Sequence, residues 1–152
     1  METIDQEILA LLSKNGRMSF TDIGKLTGLS TSAAQQRVRR LEQRGFIDGY
    51  HASVNAEAVN RSLTAFISVR PLDPRDDGEL PLQVAGIPQI TACYSIAGDA
   101  SYLLQAQVGT TGELDTLLTE LRSTAHVNTT TTVVLSTIFA NRPLVHSPGG
   151  VG

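Results

Sequence analysis

Apolar residues recur along the first third of the chain at the spacing of helices. Ile4, Ile8, Leu11 and Leu12 form one stripe that ends at Asn15-Gly16, Phe20, Ile23 and Leu26 form a second closed by Gly28, and Ala34, Val38 and Leu41 form a third closed by Gly45. Intervals of three and four residues put such positions on one helix face turned toward a core. Thr3 followed by Gln6 predicts a capping box for the first helix, and Ser30 predicts the N-cap of the third, with Leu29 plugging the corner before it. Phe46, Ile47, Tyr50, Ala52 and Val54 then predict a wing-like strand beside the helices, in which Asp48-Gly49 is either a hairpin turn or a bulge.

After the polar stretch NAEAVNRS the period shortens to two. Leu63 to Arg70 predicts a strand with Ala65, Ile67 and Val69 on one face. Ile90 to Ile96 and Ser101 to Val108 predict a hairpin about the turn Ala97-Gly98-Asp99-Ala100, and Val127 to Phe139 a long closing strand. Asp73 to Asp77 reads as a turn, and Gly78 to Ala85 as at most a short helix with Pro81 in its first turn. Thr110 and Glu113 form a capping box ahead of Leu114, Leu117, Leu118 and Leu121, which share a helical stripe. The expected fold class is α+β: a winged helix-turn-helix domain over 1–54, a linker at 55–62, a ferredoxin-like βαββαβ domain over 63–143, and a disordered Pro/Gly tail at 144–152. Helices cover one face of such a sheet. The other face, read as rich in Thr and Val and poor in charge, is expected to pack on a second copy.

Charge changes this picture only when divided by position. Net charge is −3, but residues 1–61 hold eight basic against seven acidic residues, and 62–152 four against eight. The basic groups gather in the third helix, where Arg37, Arg39, Arg40 and Arg44 surround the single acid Glu42. Ser32, Gln35, Gln36 and Arg39 fall on the helix side opposite Val38 and Leu41. Gln bonds adenine bidentately, Arg does so with guanine, and the small residues Ser30, Thr31 and Ser32 let a helix N-terminus come close to duplex DNA. The bland alternative is a solvated face of a helical hairpin. The nearly neutral first domain implies weak contact by one copy and useful affinity only from several acting together.

Other chemistry finds little support. Cys93, the only cysteine, excludes an intramolecular disulfide; between Ala92 and Tyr94 it reads as a buried structural thiol. His51, His126 and His146 lack ligand spacing, so no metal or cofactor is expected. No phosphate-binding glycine loop and no nucleophile–base pair appears, which leaves enzyme the least supported class. No leader opens the chain and no apolar run nears the roughly 20 residues of a membrane span, so a soluble cytoplasmic protein is expected.

The segments IDQEILALL at 4–12, RVRRLEQRGFI at 37–47, SIAGDASYLL at 95–104 and TTTVV at 130–134 resemble the Lrp/AsnC, or feast/famine, transcriptional regulators. The resemblance spans Ile4 to Pro143. It implies double-stranded DNA as partner of the first domain, for which the face and basic end of the third helix offer Ser30, Thr31, Ser32, Gln35, Gln36, Arg37, Arg39, Arg40 and Arg44 as contacts. It also implies an amino-acid effector between subunits at Gly98, Asp99, Ser101 and Tyr102, bordered by Thr131 and Thr132, and homodimers assembling into octamers. Where the family commonly reads Gly-Asp-x-Asp-Tyr, this chain has Ser101 in place of the second acid, and a neutral hydroxyl gives an ammonium no charge assistance. Three readings follow: an effector-responsive regulator, a DNA-compacting protein without effector response, and a ligand-sensing subunit that contacts protein rather than DNA.

Overall fold

The computed structural model describes residues 1–76 and 78–147. Chain contacts divide it into two units, one of Met1–Ser53 together with the described part of Phe139–Gly152, the other Val54–Ile138.

The first unit holds α1 (Thr3–Lys14), α2 (Phe20–Thr27) and α3 (Thr31–Gln43). Ile8, Leu9, Ile23, Ala34, Val38 and Leu41 form its buried cluster, against which Leu12, Met18, Leu29, Ile47 and Val145 pack. The stripe read on α2 is only partly used: Ile23 is fully buried, whereas Phe20 and Leu26 are exposed. The missing area comes from backbone contact. A Cβ on Gly24 would stand 2.6 Å from the carbonyl oxygen of Leu29, so the absence of a side chain lets α2 and the following turn touch directly. Gly28 takes the left-handed conformation (φ 72°), and Leu29 N–H donates to the Gly24 carbonyl at 2.9 Å. The same geometry ends α3: Gly45 has φ 70°, its N–H donates to Glu42 O and that of Phe46 to Leu41 O, a complete Schellman motif.

Two expectations for this unit are corrected. Thr3 does not cap α1, since Glu2 occupies the N-cap position without a side-chain cap bond and its carbonyl receives the N–H groups of Asp5 and Gln6. Phe46 to Val54 forms no wing strand. All four strands among the described residues lie in the other unit's sheet, so this segment has no ladder partner. It is held by side chains instead: Ile47 packs on the core, and the Tyr50 hydroxyl donates to Glu42 Oε1 at 2.8 Å.

The second unit carries β1 (Leu63–Pro71), α4 (Leu80–Val84), β2 (Ile90–Ser95), β3 (Tyr102–Val108), α5 (Thr111–Thr124) and β4 (Val127–Val133). The strands form one antiparallel sheet in the order β2-β3-β1-β4, the ferredoxin-like topology. Ala65, Ile67 and Val69 meet Leu104, Ala106 and Val108 beneath Leu80 and Val84 of α4 and Leu114, Leu117 and Leu121 of α5. Thr110 Oγ1 caps α5 by accepting from Glu113 N–H, and the Glu113 carboxylate reaches back to Gly109 N–H at 2.8 Å. β4 stops at Val133 rather than Phe139 because β1 runs out as its partner: Ala65 pairs with Val133, and the last bond joins Val134 N–H to Thr64 O. Cys93 is exposed rather than buried, since β2 is an edge strand; partial desolvation by its strand neighbours pushes its thiol pKa up, the direction of an unreactive thiol. Of the turn read at 73–77, Asp77 lies outside the described residues, as do residues 148–152 of the C-terminal tail.

The stretch read as a linker is docked on the second unit. Arg61 N–H closes a turn onto Ala56 O, its guanidinium donates to Pro88 O at 2.8 Å, and a Cβ on Gly109 would stand 2.6 Å from Asn60 O.

Candidate DNA-reading helix and effector pocket

Ser30 sets the start of α3 by accepting from Ala33 N–H at 3.2 Å, and its Oγ lies 3.2 Å from that of Ser32. Thr31 Oγ1 sits 3.3 Å from Thr21 Oγ1 and so ties the N-terminus of α3 to α2. With Ala34, Val38 and Leu41 buried, the helical period turns Ser32, Gln36 and Arg39 outward and leaves Gln35 half-buried beside them. Gln35, Gln36, Arg39 and Arg40 make no side-chain hydrogen bond or ion pair among the described residues.

The other two arginines are engaged. Arg37 Nη1 donates to Asp5 Oδ1 at 2.9 Å and lies 2.8 Å from Glu2 Oε2. Asp5 is only 6% exposed, and its hydrogen bond, followed by that of Glu2, raises the guanidinium pKa above its ordinary value. This geometry fastens α3 to α1. Arg44 lies over the Phe46 ring, 5.1 Å from its centre.

In the second unit the Gly98–Tyr102 segment links β2 to β3. Ile96 N–H donates to Ser101 O, and Ser101 N–H donates to Val69 O, each at 3.0 Å, which pins the turn to the end of β1. Gly98 has φ 135°, a conformation that favours glycine. Beside this turn, on the sheet face away from the helices, an open pocket of about 190 Å³ is lined by Asp99 and Ala100 with Ser68, Arg70, Asn128 and Thr130. Register explains the lining: Ser68 pairs with Thr130 and Arg70 with Asn128, two cross-strand pairs on one face.

Of the six effector residues expected from the sequence, Asp99 borders the pocket. Thr131 pairs with core residue Ile67, and Tyr102 with core residue Val69, so both belong to the helix-covered side. Thr132 pairs with Phe66 on the open face, one cross-strand pair beyond Thr130. Ser68, Arg70, Asn128 and Thr130 escaped the sequence reading. Their signal was present in the alternation itself: with Ala65, Ile67 and Val69 inward, the even positions of β1 must face out. The same alternation places the strand valines Val69, Val108, Val127 and Val133 on the helix side, so the open face carries Thr, Gln and Asn around Phe66, Leu103 and Tyr94 rather than Thr and Val.

The AsnC-type helix-turn-helix domain matches residues 1–42, and the Lrp/AsnC ligand binding domain matches residues 64–144. The chain belongs to the Lrp/AsnC family of transcriptional regulators. Its similarity to Lrp/AsnC members runs nearly end to end. An HTH-type transcriptional regulator LrpA of Mycobacterium tuberculosis is 39% identical over 142 residues, covering 93% of this chain and 95% of that protein. The leucine-responsive regulatory protein of Escherichia coli is 34% identical over 149 residues, covering 95% and 91%. Among solved structures, a feast or famine regulatory protein of M. tuberculosis complexed with L-methionine superposes with a TM-score of 0.88 at 40% identity, covering 95% of this chain and 97% of that one.

Proposed function

We propose that this regulator reads duplex DNA in the major groove through α3, with Gln35, Gln36 and Arg39 as base-reading side chains and Arg40 as a phosphate contact. The observation that carries this is the division of labour on α3: its inward arginine, Arg37, is consumed by Asp5 and Glu2, while Gln35, Gln36, Arg39 and Arg40 have no side-chain partner among the described residues. Unspent donors at the front of a helix fit base edges and phosphates. Arg39→Ala and Gln35→Ala are each expected to weaken binding to a specific site by about 1–3 kcal/mol while sparing random DNA. Arg40→Ala should weaken all sequences alike and lower the salt slope by about 1. Gel shifts on the protein's own promoter and on random duplex check both, and equal losses on both DNAs for Arg39→Ala would refute base reading.

The pocket beside Asp99 suits an amino-acid effector, in keeping with the L-methionine complexes of the M. tuberculosis relative and of a Neisseria meningitidis regulator that is 26% identical. Homodimers form through the open sheet face, on which Arg70 is the only charged strand residue among the described residues, and assemble further, to an octamer, in the cytoplasm. Sedimentation with and without L-methionine tests this: one mass in every condition, equal to a monomer, would sink it.

A further inference from the structure

Most arginines of the second unit are engaged within it: Arg61 donates to Pro88 O, Arg122 to Leu118 O, and Arg75 pairs with Asp73. Arg142, which the segment 139–147 brings to the first unit, has neither an acid nor a hydrogen-bond acceptor as partner among the described residues. Its guanidinium lies over the Phe139 ring, 3.7 Å from the centre. Phe139 is itself 64% exposed, so the pair stands on the surface rather than in a core. A guanidinium held by its face keeps its in-plane N–H donors for an anion. Local backbone fixes the pose: Asn141 takes the left-handed conformation (φ 53°) on one side of Arg142, and Pro143 restricts the chain on the other. The segment is also anchored. Val145 packs on the helical core, and Leu144 borders a cleft together with Phe46, Ile47 and Tyr50, which follow α3. Charge runs the same way. Residues 139–147 hold Arg142 and His146 and no acid. Residues 1–53 hold seven basic against six acidic residues, so Arg142 brings the first unit to eight against six, while 54–138 hold four against nine.

We propose that residues 139–147 form a second DNA contact, an arm laid beside the C-terminal end of α3, whose Arg142 takes a backbone phosphate flanking the bases that α3 reads. The proposal rests on the α3 reading above and adds to it a contact from a segment far removed in sequence. Residues 46–54, expected as a wing, pair with no strand, and the arm lies against the first half of that stretch. Basic arms beside a reading helix reach the neighbouring backbone or groove. A guanidinium matches two phosphate oxygens bidentately, and the arm has no acid to repel them. Contact with a phosphate carries no base preference. Arg142 therefore adds affinity for every sequence and leaves discrimination to Gln35, Gln36 and Arg39. The Phe139 ring serves the contact by holding the guanidinium in one place before DNA arrives, so less side-chain freedom is lost on binding.

The test is the salt dependence of binding by the full chain on three duplexes: the protein's own promoter, a random duplex of equal length, and the promoter trimmed at both ends to the shortest length on which Arg142→Gln keeps its affinity. On the two long duplexes Arg142→Gln is expected to weaken binding by one common factor and to lower the slope of log K against log salt by about 0.9. Arg142→Lys should keep the slope, since the charge remains, and lose part of the affinity with the fork. On the trimmed duplex the wild type should fall to the affinity of Arg142→Gln, because the flanking phosphate is gone. Arg142 is exposed and touches only the Phe139 ring among the recorded side-chain partners of the described residues, so its variants should melt with the wild type. If Arg142→Gln matches the wild type in affinity and slope while Arg39→Ala loses the promoter, the arm is overturned and the α3 reading stands. The arm is equally overturned if the wild type stays tighter than Arg142→Gln on the trimmed duplex, or if the substitution changes only the sedimentation of the free protein, which would assign Arg142 to a contact between copies. If the wild type binds no duplex, the α3 reading fails and takes the arm with it.

Discussion

Four arginines between positions 37 and 44 share a composition but not a task. Sequence spacing separated Arg39 from the core side of α3, yet placed Arg37 with the DNA contacts, because local basicity does not reveal an acid 32 residues away. Removing Arg37 leaves the nearly buried Asp5 carboxylate unpaired, a loss on the order of 1–3 kcal/mol. Arg37→Ala is therefore expected to lower the urea midpoint and to leave the preference for specific over random DNA intact in the folded fraction. Tyr50 was legible only as an apolar strand residue. Its half-exposed side chain is partly desolvated and its hydroxyl donates to Glu42, and in that order these push its pKa up to about 12. A raised phenol pKa means that the folded state favours the neutral form, so the Tyr50 contribution is complete below pH 10 and fades as pH rises toward 12. Absorbance titration should show a phenolate transition above that of free tyrosine, absent in Tyr50→Phe.

At the level of elements, most positions set by local periodicity and caps were readable, the Thr3 cap and the α2 stripe apart, and those set by long-range backbone contact were not. Ser30, Gly28, Gly45 and the Thr110–Glu113 box all lie where the sequence put them, because each acts within a few residues of itself. The expected wing failed for the opposite reason. A strand needs a neighbour, and apolar alternation at 46–54 says nothing of whether one is there. Gly24 carried no signal either, although α2 and the turn after it meet through the space it leaves empty. Any side chain there must push the Leu29–Ser30 backbone away and, with it, the start of α3. Gly24→Val is expected to destabilise the first unit by about 1–3 kcal/mol and to weaken specific and random DNA together, as thermal melting and gel shifts would show. A melting temperature equal to wild type would mean that the turn can shift at no cost.

On the scale of the whole molecule, the order of the two units was legible from the change of period near residue 60, but the path of the chain's end was not. The sequence assigned 63–143 to the second unit and a free tail beyond; in the folded chain 139–147 group with the first unit, and Val145 packs on its core. A half-buried valine in a Pro- and Gly-rich segment has no periodic company to announce it. Val145→Ala should cost the first unit about 1 kcal/mol by lost burial, measured by melting, and truncation after Ile138 should cost at least as much. The chain leaves the first unit after Ser53 and re-enters it at Phe139, so Met1 and the described residues 139–147 both belong to the unit that carries α3. A fluorescent protein or affinity tag joined beside Met1 or beside the segment 139–147 is thus attached to the unit that carries the helix-turn-helix. A reporter meant to leave that half unencumbered belongs inside the other unit instead, for example at the exposed turn containing Gly86, where an added side chain meets open space.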